Sequence, residues 1–262
     1  MESNAGALVR RLALKTRFSE MGWGSTPLLS ASFRIGSAKT KLAGSIPALR
    51  SIYCVMCHGG NQTILLFNFE MEAHMPSVFL TSDTHFGHAG VCKFLREDGS
   101  KLRPWDTPEE MDEEMVKRWN ETVKPTDKVY HLGDVVINRK ALKIMHRLNG
   151  DKVLIKGNHD IFRLEDYTPF FRDIRSYHVM NGVLLSHIPV HPQQLYRFGC
   201  NIHGHLHSNR VMVTDKYGVT TVDPQYYSVC VEQTDFRPIL FEDVLKKIQE
   251  QGGTVGFKNG NH

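Results

Sequence analysis

Short apolar runs that stop abruptly at glycine or at a cluster of polar residues recur from Ser77 onward. Val78-Phe-Leu80, Val129-Tyr130, Val153-Leu-Ile155 and Val183-Leu-Leu185 each read as a strand buried on both faces, which needs no polar alternation. Between the first two, Thr107-Pro-Glu-Glu110 supplies an N-cap, a proline in the first turn and a glutamate at the third helical position. Met111, Met115 and Trp119 follow at i+4 spacing, so this stretch predicts a helix with one apolar stripe against a sheet. Lys140 to Leu148, with Leu142, Met145 and Leu148 inward and Asn149-Gly150 after them, predicts a second helix. Strands are further expected at Cys200 to His207, Val219 to Val222, Tyr227 to Val231 and Pro238 to Phe241. A final helix is expected from Phe241 to Gln251, with 252–262 as a flexible tail. Ile161 to Arg175 carries Phe162, Phe170 and Phe171 without a clean period and reads as a lid or a packed loop. Strands alternating with helices place the chain in the α/β class.

Residues 1–74 differ: they show no sustained period of 2 or 3.6 and are rich in Ser, Gly, Ala and Arg. An organelle transit peptide, a flexible appendage and a stretch upstream of a true start at Met71 or Met75 are the readings open. The last is preferred, because the first strand begins directly after Met75. The fold-bearing domain is therefore expected over 75–251. All of the formal charge of +4 sits ahead of it: residues 1–74 hold eight Lys/Arg against Glu2, Glu20, Glu70 and Glu72, leaving 24 of each sign beyond. A body without net charge has no field to draw it to nucleic acid or an anionic membrane. No run of 18 apolar residues is present to span a bilayer. Cys54-Val-Met-Cys57-His58 has the spacing of covalent haem attachment, but it comes without a secretory signal, and a chance pair is preferred. Five scattered cysteines fit a reduced, cytoplasmic chain.

The chemistry lies where the apolar runs stop. Asp83-Thr-His85 follows the first strand, Gly133-Asp134 the second and Gly157-Asn158-His159-Asp160 the third. His187 follows the fourth, and His205 and His207 close the fifth. Both x-spaced pairs, Asp83/His85 and His205/His207, would face one way on an extended backbone. Singly, each histidine is explained as a hydrogen-bonded structural residue. Together, Asp83, His85, Asp134, Asn158, His187, His205 and His207 offer oxygen and imidazole without thiolate, a set that suits two divalent ions of the Mn, Fe or Zn kind with Asp134 between them. The acidic run Glu109 to Glu114 reads as a solvated helix face instead, well placed at the helix amino end. His88, His131 and His203 flank these motifs, and support of a ligand or plain packing remain open for each. The same holds for His191, Tyr196 and Arg197, which lie where a loop could touch substrate.

In this order, Asp83-x-His85, Gly133-Asp134, Gly157-Asn158-His159-Asp160, His187 and Gly204-His205-x-His207 resemble the calcineurin-like metallophosphoesterase family over Val78 to Phe241. The Asp-Thr-His-Phe-Gly-His run and the Glu-Glu-Met-Asp helix followed by Trp119-Asn120 look like its small single-domain members from bacteria and their viruses. The resemblance implies a four-layer αββα sandwich of two mixed β-sheets flanked by helices. It implies Asp83, His85, Asp134 and His207 on one metal, and Asp134, Asn158, His187 and His205 on the other, with Mn first and Fe, Zn or Ni as alternatives. His159 would be the catalytic acid toward the leaving oxygen and Asp160 the residue that orients its ring. The activity implied is hydrolysis of a phosphoester, with phosphodiesters or nucleotides preferred over phosphomonoesters because many small members resemble diesterases, and with hydroxide as the nucleophile. An inactive binding or scaffold module on the same fold is the alternative. Residues 1–74 have no counterpart in such small members.

Overall fold

The computed structural model describes residues 75–257 and, further upstream, the backbone of three strands. The chain divides into two compact units, Met1–His74 and Met75–His262. In the first, β1 (Ser32–Ile35), β2 (Ser51–His58) and β3 (Asn61–Asn68) form an antiparallel sheet in that order. The remaining expectations for residues 1–74, the side chains of Cys54, Cys57 and His58 included, lie outside the described residues.

The second unit runs β4 (Val78–Thr81), α1 (Pro108–Thr122), β5 (Lys128–His131), a 3₁₀ helix (Arg139–Arg147), β6 (Asp151–Ile155), α2 (Leu164–Tyr167), β7 (Asp173–Arg175), β8 (Tyr177–Met180) and β9 (Val183–Ser186). It continues with a 3₁₀ turn (Pro192–Tyr196), β10 (Asn201–His203), β11 (Met212–Thr214), β12 (Thr220–Val222), β13 (Tyr226–Ser228), another 3₁₀ turn (Val231–Gln233), β14 (Ile239–Leu240) and α3 (Phe241–Glu250). One sheet has the order β14-β4-β5-β6-β7, parallel except at β14. The other has the order β13-β10-β9-β8, parallel except where β8 meets β9. Both are mixed, and the unit is α/β with few helices.

The strand period of two assigns each apolar run to two cores. Phe79, Val129 and Leu154 pack with Met111, Met115 and Trp119 of α1 and with Leu142 and Met145 of the 3₁₀ helix. Their neighbours Leu80, Tyr130, Val153 and Ile155 pack with Val183, Leu185 and Ile202 of the other sheet and Phe241, Val244 and Ile248 of α3. This two-sided burial is why β4, β5 and β6 are continuously apolar. Helix α1 starts as its sequence requires: Thr107 Oγ1 accepts from Glu110 N at 3.2 Å, and Pro108 occupies the first turn. Trp119 is 2% exposed and its Nε1 donates to Asn149 O, so truncating it would cost roughly 3–5 kcal/mol.

Several elements depart from the sequence reading. The helix expected over 140–148 is a 3₁₀ helix spanning Arg139–Arg147, capped by Asn138 Oδ1 accepting from Lys140 N. Ile161 to Arg175 is a packed segment, with Tyr167 and Phe171 buried and Phe162 and Phe170 against the same core, but it is not all loop: it holds α2 and the edge strand β7. The run from Tyr227 leaves strand geometry after Ser228 and becomes a 3₁₀ turn at Val231–Gln233. Of the tail, 252–257 are described: Gln251 holds Pro224 O and Tyr226 O, and Phe257 bridges Phe198. Among the described residues no helix is long and apolar enough to cross a membrane.

Candidate metal centre

Strands β4, β5, β6, β9 and β10 bring the candidate residues together at the ends where their apolar runs stop. Asp83, His85 and His207 form one group, and Asp134, His187 and His205 another, each with one donor atom per residue within 4.8 Å of the others. Either group could hold a metal ion. Asp134 Oδ2 stands between them, 3.4 Å from His187 Nε2 and 3.7 Å from His85 Nε2. Asn158 Oδ1 joins the second group at 2.8 Å from His187 Nε2. All seven residues read from the sequence as ligands therefore converge, and His159 lies beside them with its ring 5.5 Å from that of His85.

The backbone achieves this differently from the sequence reading. Asp83 (φ 58) and His85 (φ 47) are in the left-handed region, as are His205 (φ 70), His207 (φ 51) and Asp134 (φ 57). An extended chain with alternate side chains on one face does not describe either pair; left-handed turns aim them. Such conformations cost about 1–3 kcal/mol each for residues with a Cβ, and they persist where the surroundings enforce them. Two glycines make the close packing possible. A Cβ on Gly157 would collide with Asp134 Oδ1, and one on Gly204 with Ser82 Oγ and Asp83 Oδ2.

Each aspartate has one oxygen fixed by protein donors and one turned to the histidines. Asp83 Oδ2 accepts from Ser82 Oγ (2.5 Å), His205 N (2.8 Å) and Cys230 Sγ (3.2 Å). Its Oδ1, 3.8 Å from both His85 Nε2 and His207 Nε2, has no hydrogen-bond partner among the described residues, and neither ring nitrogen of His85 has one. Asp134 Oδ1 likewise accepts from His159 N at 2.8 Å, which leaves Oδ2 for the histidines. Buried oxygens and ring nitrogens facing one another beyond hydrogen-bond reach are the arrangement a cation would satisfy. Burial would raise the Asp83 carboxyl, but His85, His187, His207 and Ser82 hold it far below the usual range, so it is ionised. Asp134 is lowered too, against its burial, by His187 and the His159 amide. Burial pushes the Cys230 thiol well up, so it stays protonated and is a hydrogen-bond donor rather than a thiolate ligand.

Three side chains that hold the site in place escaped the sequence reading. Glu232 Oε1 accepts from His207 Nδ1 at 2.9 Å, which leaves Nε2 directed at Asp83. Arg103, fully buried, donates to the same Glu232 oxygen from Nε and Nη2 (2.9 and 2.7 Å) and to Asp83 O and Thr84 O (2.6 and 2.7 Å). Asp112, within the acidic run read as a solvated face, accepts from Gly87 N with both oxygens at 3.0 Å, and burial pushes it up to about 6. Its neighbours Glu113 and Glu114 do face outward, paired with Arg147 and Arg118.

Asp160 requires a correction. Its carboxylate accepts from Asp134 N and Gly157 N (2.8 Å each) through Oδ2 and from Val135 N (3.1 Å) through Oδ1. It ties two ligand-bearing turns together through backbone amides and makes no hydrogen bond with the His159 ring among the described residues. His131 is buried, with Nε2 2.9 Å from a Thr84 hydroxyl that itself donates to Val135 O, so the ring is the donor between them. Burial lowers its pKa to about 3, and that of His203, whose Nδ1 donates to Gly204 O, to about 4. His88 lies with its ring 5.8 Å from that of His85. His191 caps the turn Pro192–Tyr196, and Tyr196 points largely to solvent.

No family model matches the chain. Gene 66 protein of Mycobacterium phage D29 is 37% identical over 91 residues, 33% of this chain and 41% of the phage protein. Among solved structures, the protein of unknown function AQ665 from Aquifex aeolicus is 24% identical, with a TM-score of 0.47, over 66% of this chain and 99% of that one. An uncharacterized protein of Methanocaldococcus jannaschii, MJ1445, is 34% identical over 187 residues, 69% of this chain and 96% of the archaeal one. At that identity over nearly the whole archaeal chain, the protein belongs to the family of MJ1445.

Proposed function

We propose that the chain is a dinuclear-metal-dependent phosphoester hydrolase. The observation that carries this reading is the position of Asp134 Oδ2, within 3.4 Å of His187 and 3.7 Å of His85, so that one carboxylate oxygen serves two ligand groups. Mixed oxygen and imidazole donors, with the Cys230 thiol beside Asp83 kept protonated, favour Mn, Fe or Zn over softer-ligand metals. Bound there, two divalent cations would supply the acidity that makes water a nucleophile at neutral pH and the charge that neutralises a phosphoryl group.

The protein's own part in this reaction is positioning. Arg103 and Glu232 fix Asp83 and His207, Asp160 fixes the turns of Asp134 and Gly157, and the Asp134 carboxylate in turn holds the His159 amide. His159 is exposed beside the two groups and in neither, which suits a proton donor to the departing oxygen. In this reading the two mixed sheets are the inner layers of the four-layer sandwich that the calcineurin-like resemblance implies. The experiment is to strip the full chain with a chelator, reload it with Mn, and assay aryl phosphomonoesters and phosphodiesters. Hydrolysis that disappears on stripping and returns on loading supports the proposal. Lack of hydrolysis by the loaded protein on every ester would overturn it and leave a binding module.

A further inference from the structure

A cleft of about 660 Å³ opens beside the second ligand group, with Asn158 and His187 in its wall. That is ample for a ligand of nucleotide size, since small-molecule sites typically measure roughly 300–1,000 Å³. Tyr177 at the start of β8, Ile188 just past β9, and Phe198 also line it. Tyr177 is 59% and Ile188 51% exposed, so both are open to a ligand in the cleft. Apart from His187, Lys156 is the single charged side chain among the described residues that line the cleft, and it forms no ion pair among them. Among the described residues, no carboxylate lines it.

This composition selects among the organic groups that a phosphoester can carry. A cationic group would find no counter-charge, and a polyphosphate would find one lysine. A peptide bearing phosphoserine would leave an aromatic wall without a planar partner. An aromatic, uncharged group attached to one phosphate fits this lining: Tyr177 offers its ring a stacking surface, Ile188 and Phe198 offer apolar contact, and its phosphate lies toward the ligand group that includes Asn158 and His187, with Lys156 as the cation of the lining. We infer that the cleft is the subsite for the nucleoside of a nucleoside phosphate, with Tyr177 as the stacking surface and Lys156 as the contact that favours an anion there. This inference rests on the phosphoesterase reading for the phosphate end and on the cleft for the other.

The test compares ligands that share the phosphate and differ in what it carries. Calorimetric titration of the Mn-loaded full chain with adenosine 5′-monophosphate and with methyl phosphate isolates the nucleoside. Adenosine monophosphate should bind about tenfold or more tightly, the size expected for one base stacked on an aromatic ring. Tyr177→Ala should remove most of that advantage while leaving methyl phosphate affinity and metal content unchanged. Lys156→Ala should weaken both ligands by a few-fold. Equal affinity for the two ligands in the wild type, or an advantage that survives Tyr177→Ala, overturns the subsite. The two readings fail separately. Ester hydrolysis with no preference for the nucleoside sinks the subsite alone, whereas a Tyr177-dependent preference in a protein that hydrolyses no ester sinks the activity alone.

Discussion

Glu232 Oε1 accepts a hydrogen bond from His207 Nδ1 at 2.9 Å, and the same oxygen receives two from the buried Arg103. The carboxylate is held below its usual range despite burial, chiefly by Arg103 and His207, so it is charged and sets which nitrogen of His207 faces Asp83. Glu232→Gln keeps an acceptor and removes the charge. Metal affinity should fall by roughly 10- to 100-fold, as for other partners that orient a ligating histidine. Competition with a chelating dye measures it, and unchanged affinity would show that His207 holds its orientation without Glu232.

His159 and His205 should separate cleanly. On the proposed reading His159→Asn removes a proton donor but no ligand, so metal content should stay constant while turnover falls by ~10²- to 10⁴-fold on esters with alkoxide leaving groups. On p-nitrophenyl esters, whose leaving group departs unprotonated, the loss should be smaller. His205→Asn removes a member of the second group and should lower metal content and both rates together. Equal losses on both substrates together with metal loss from His159→Asn would make His159 a ligand.

Asp160→Asn tests whether the Asp160 carboxylate serves the backbone turns rather than the His159 ring. With its oxygens engaged by the amides of Asp134, Val135 and Gly157, the substitution forfeits charge-assisted acceptance and should destabilise the fold by about 1–3 kcal/mol. Thermal unfolding of the metal-free protein reads this directly. A variant of unchanged melting temperature but altered pH profile of turnover would restore the ring-orienting role.

His131 and His203 predict acid sensitivity. Burial lowers their folded-state values to about 3 and about 4 from an ordinary 6.5. An unfolded chain then takes up protons that the folded chain refuses, so the stability these residues contribute is full above pH 6.5 and declines as pH falls toward their folded values. For His131 alone the decline is about 3 kcal/mol by pH 4. His131→Gln should therefore lose less stability than the wild type between pH 7 and pH 4 in urea unfolding of the metal-free chain. Parallel pH curves would mean that His131 is not held neutral.

The sequence was most legible where burial on both faces made it monotonous. Val78 to Leu80 and Val153 to Ile155 announce strands because two cores claim alternate residues of each. It was least legible in β7 and β8, short strands whose side chains are half-buried or exposed and carry no clear period. The seven ligand-type residues could be collected because each follows an apolar run, yet the extended-backbone reason for the Asp83/His85 and His205/His207 pairs was mistaken. Left-handed turns cannot be read from non-glycine residues. Nothing local marked Arg103 or Glu232 either, since they meet across 129 residues of chain. A buried arginine beside a ligand loop becomes visible only once packing shows what it neutralises.

The shared oxygen of Asp134 is the feature on which the two-metal reading turns. Metal stoichiometry and ester turnover, measured on the Mn-loaded wild type and on Asp134→Asn side by side, test it most directly. The expected result is two equivalents per chain with metal-dependent hydrolysis in the wild type, and about one equivalent with turnover abolished in the variant, because the amide loses the charge that holds two cations close. A wild type that binds a single equivalent, or an Asp134→Asn protein that keeps two equivalents and full turnover, would contradict it.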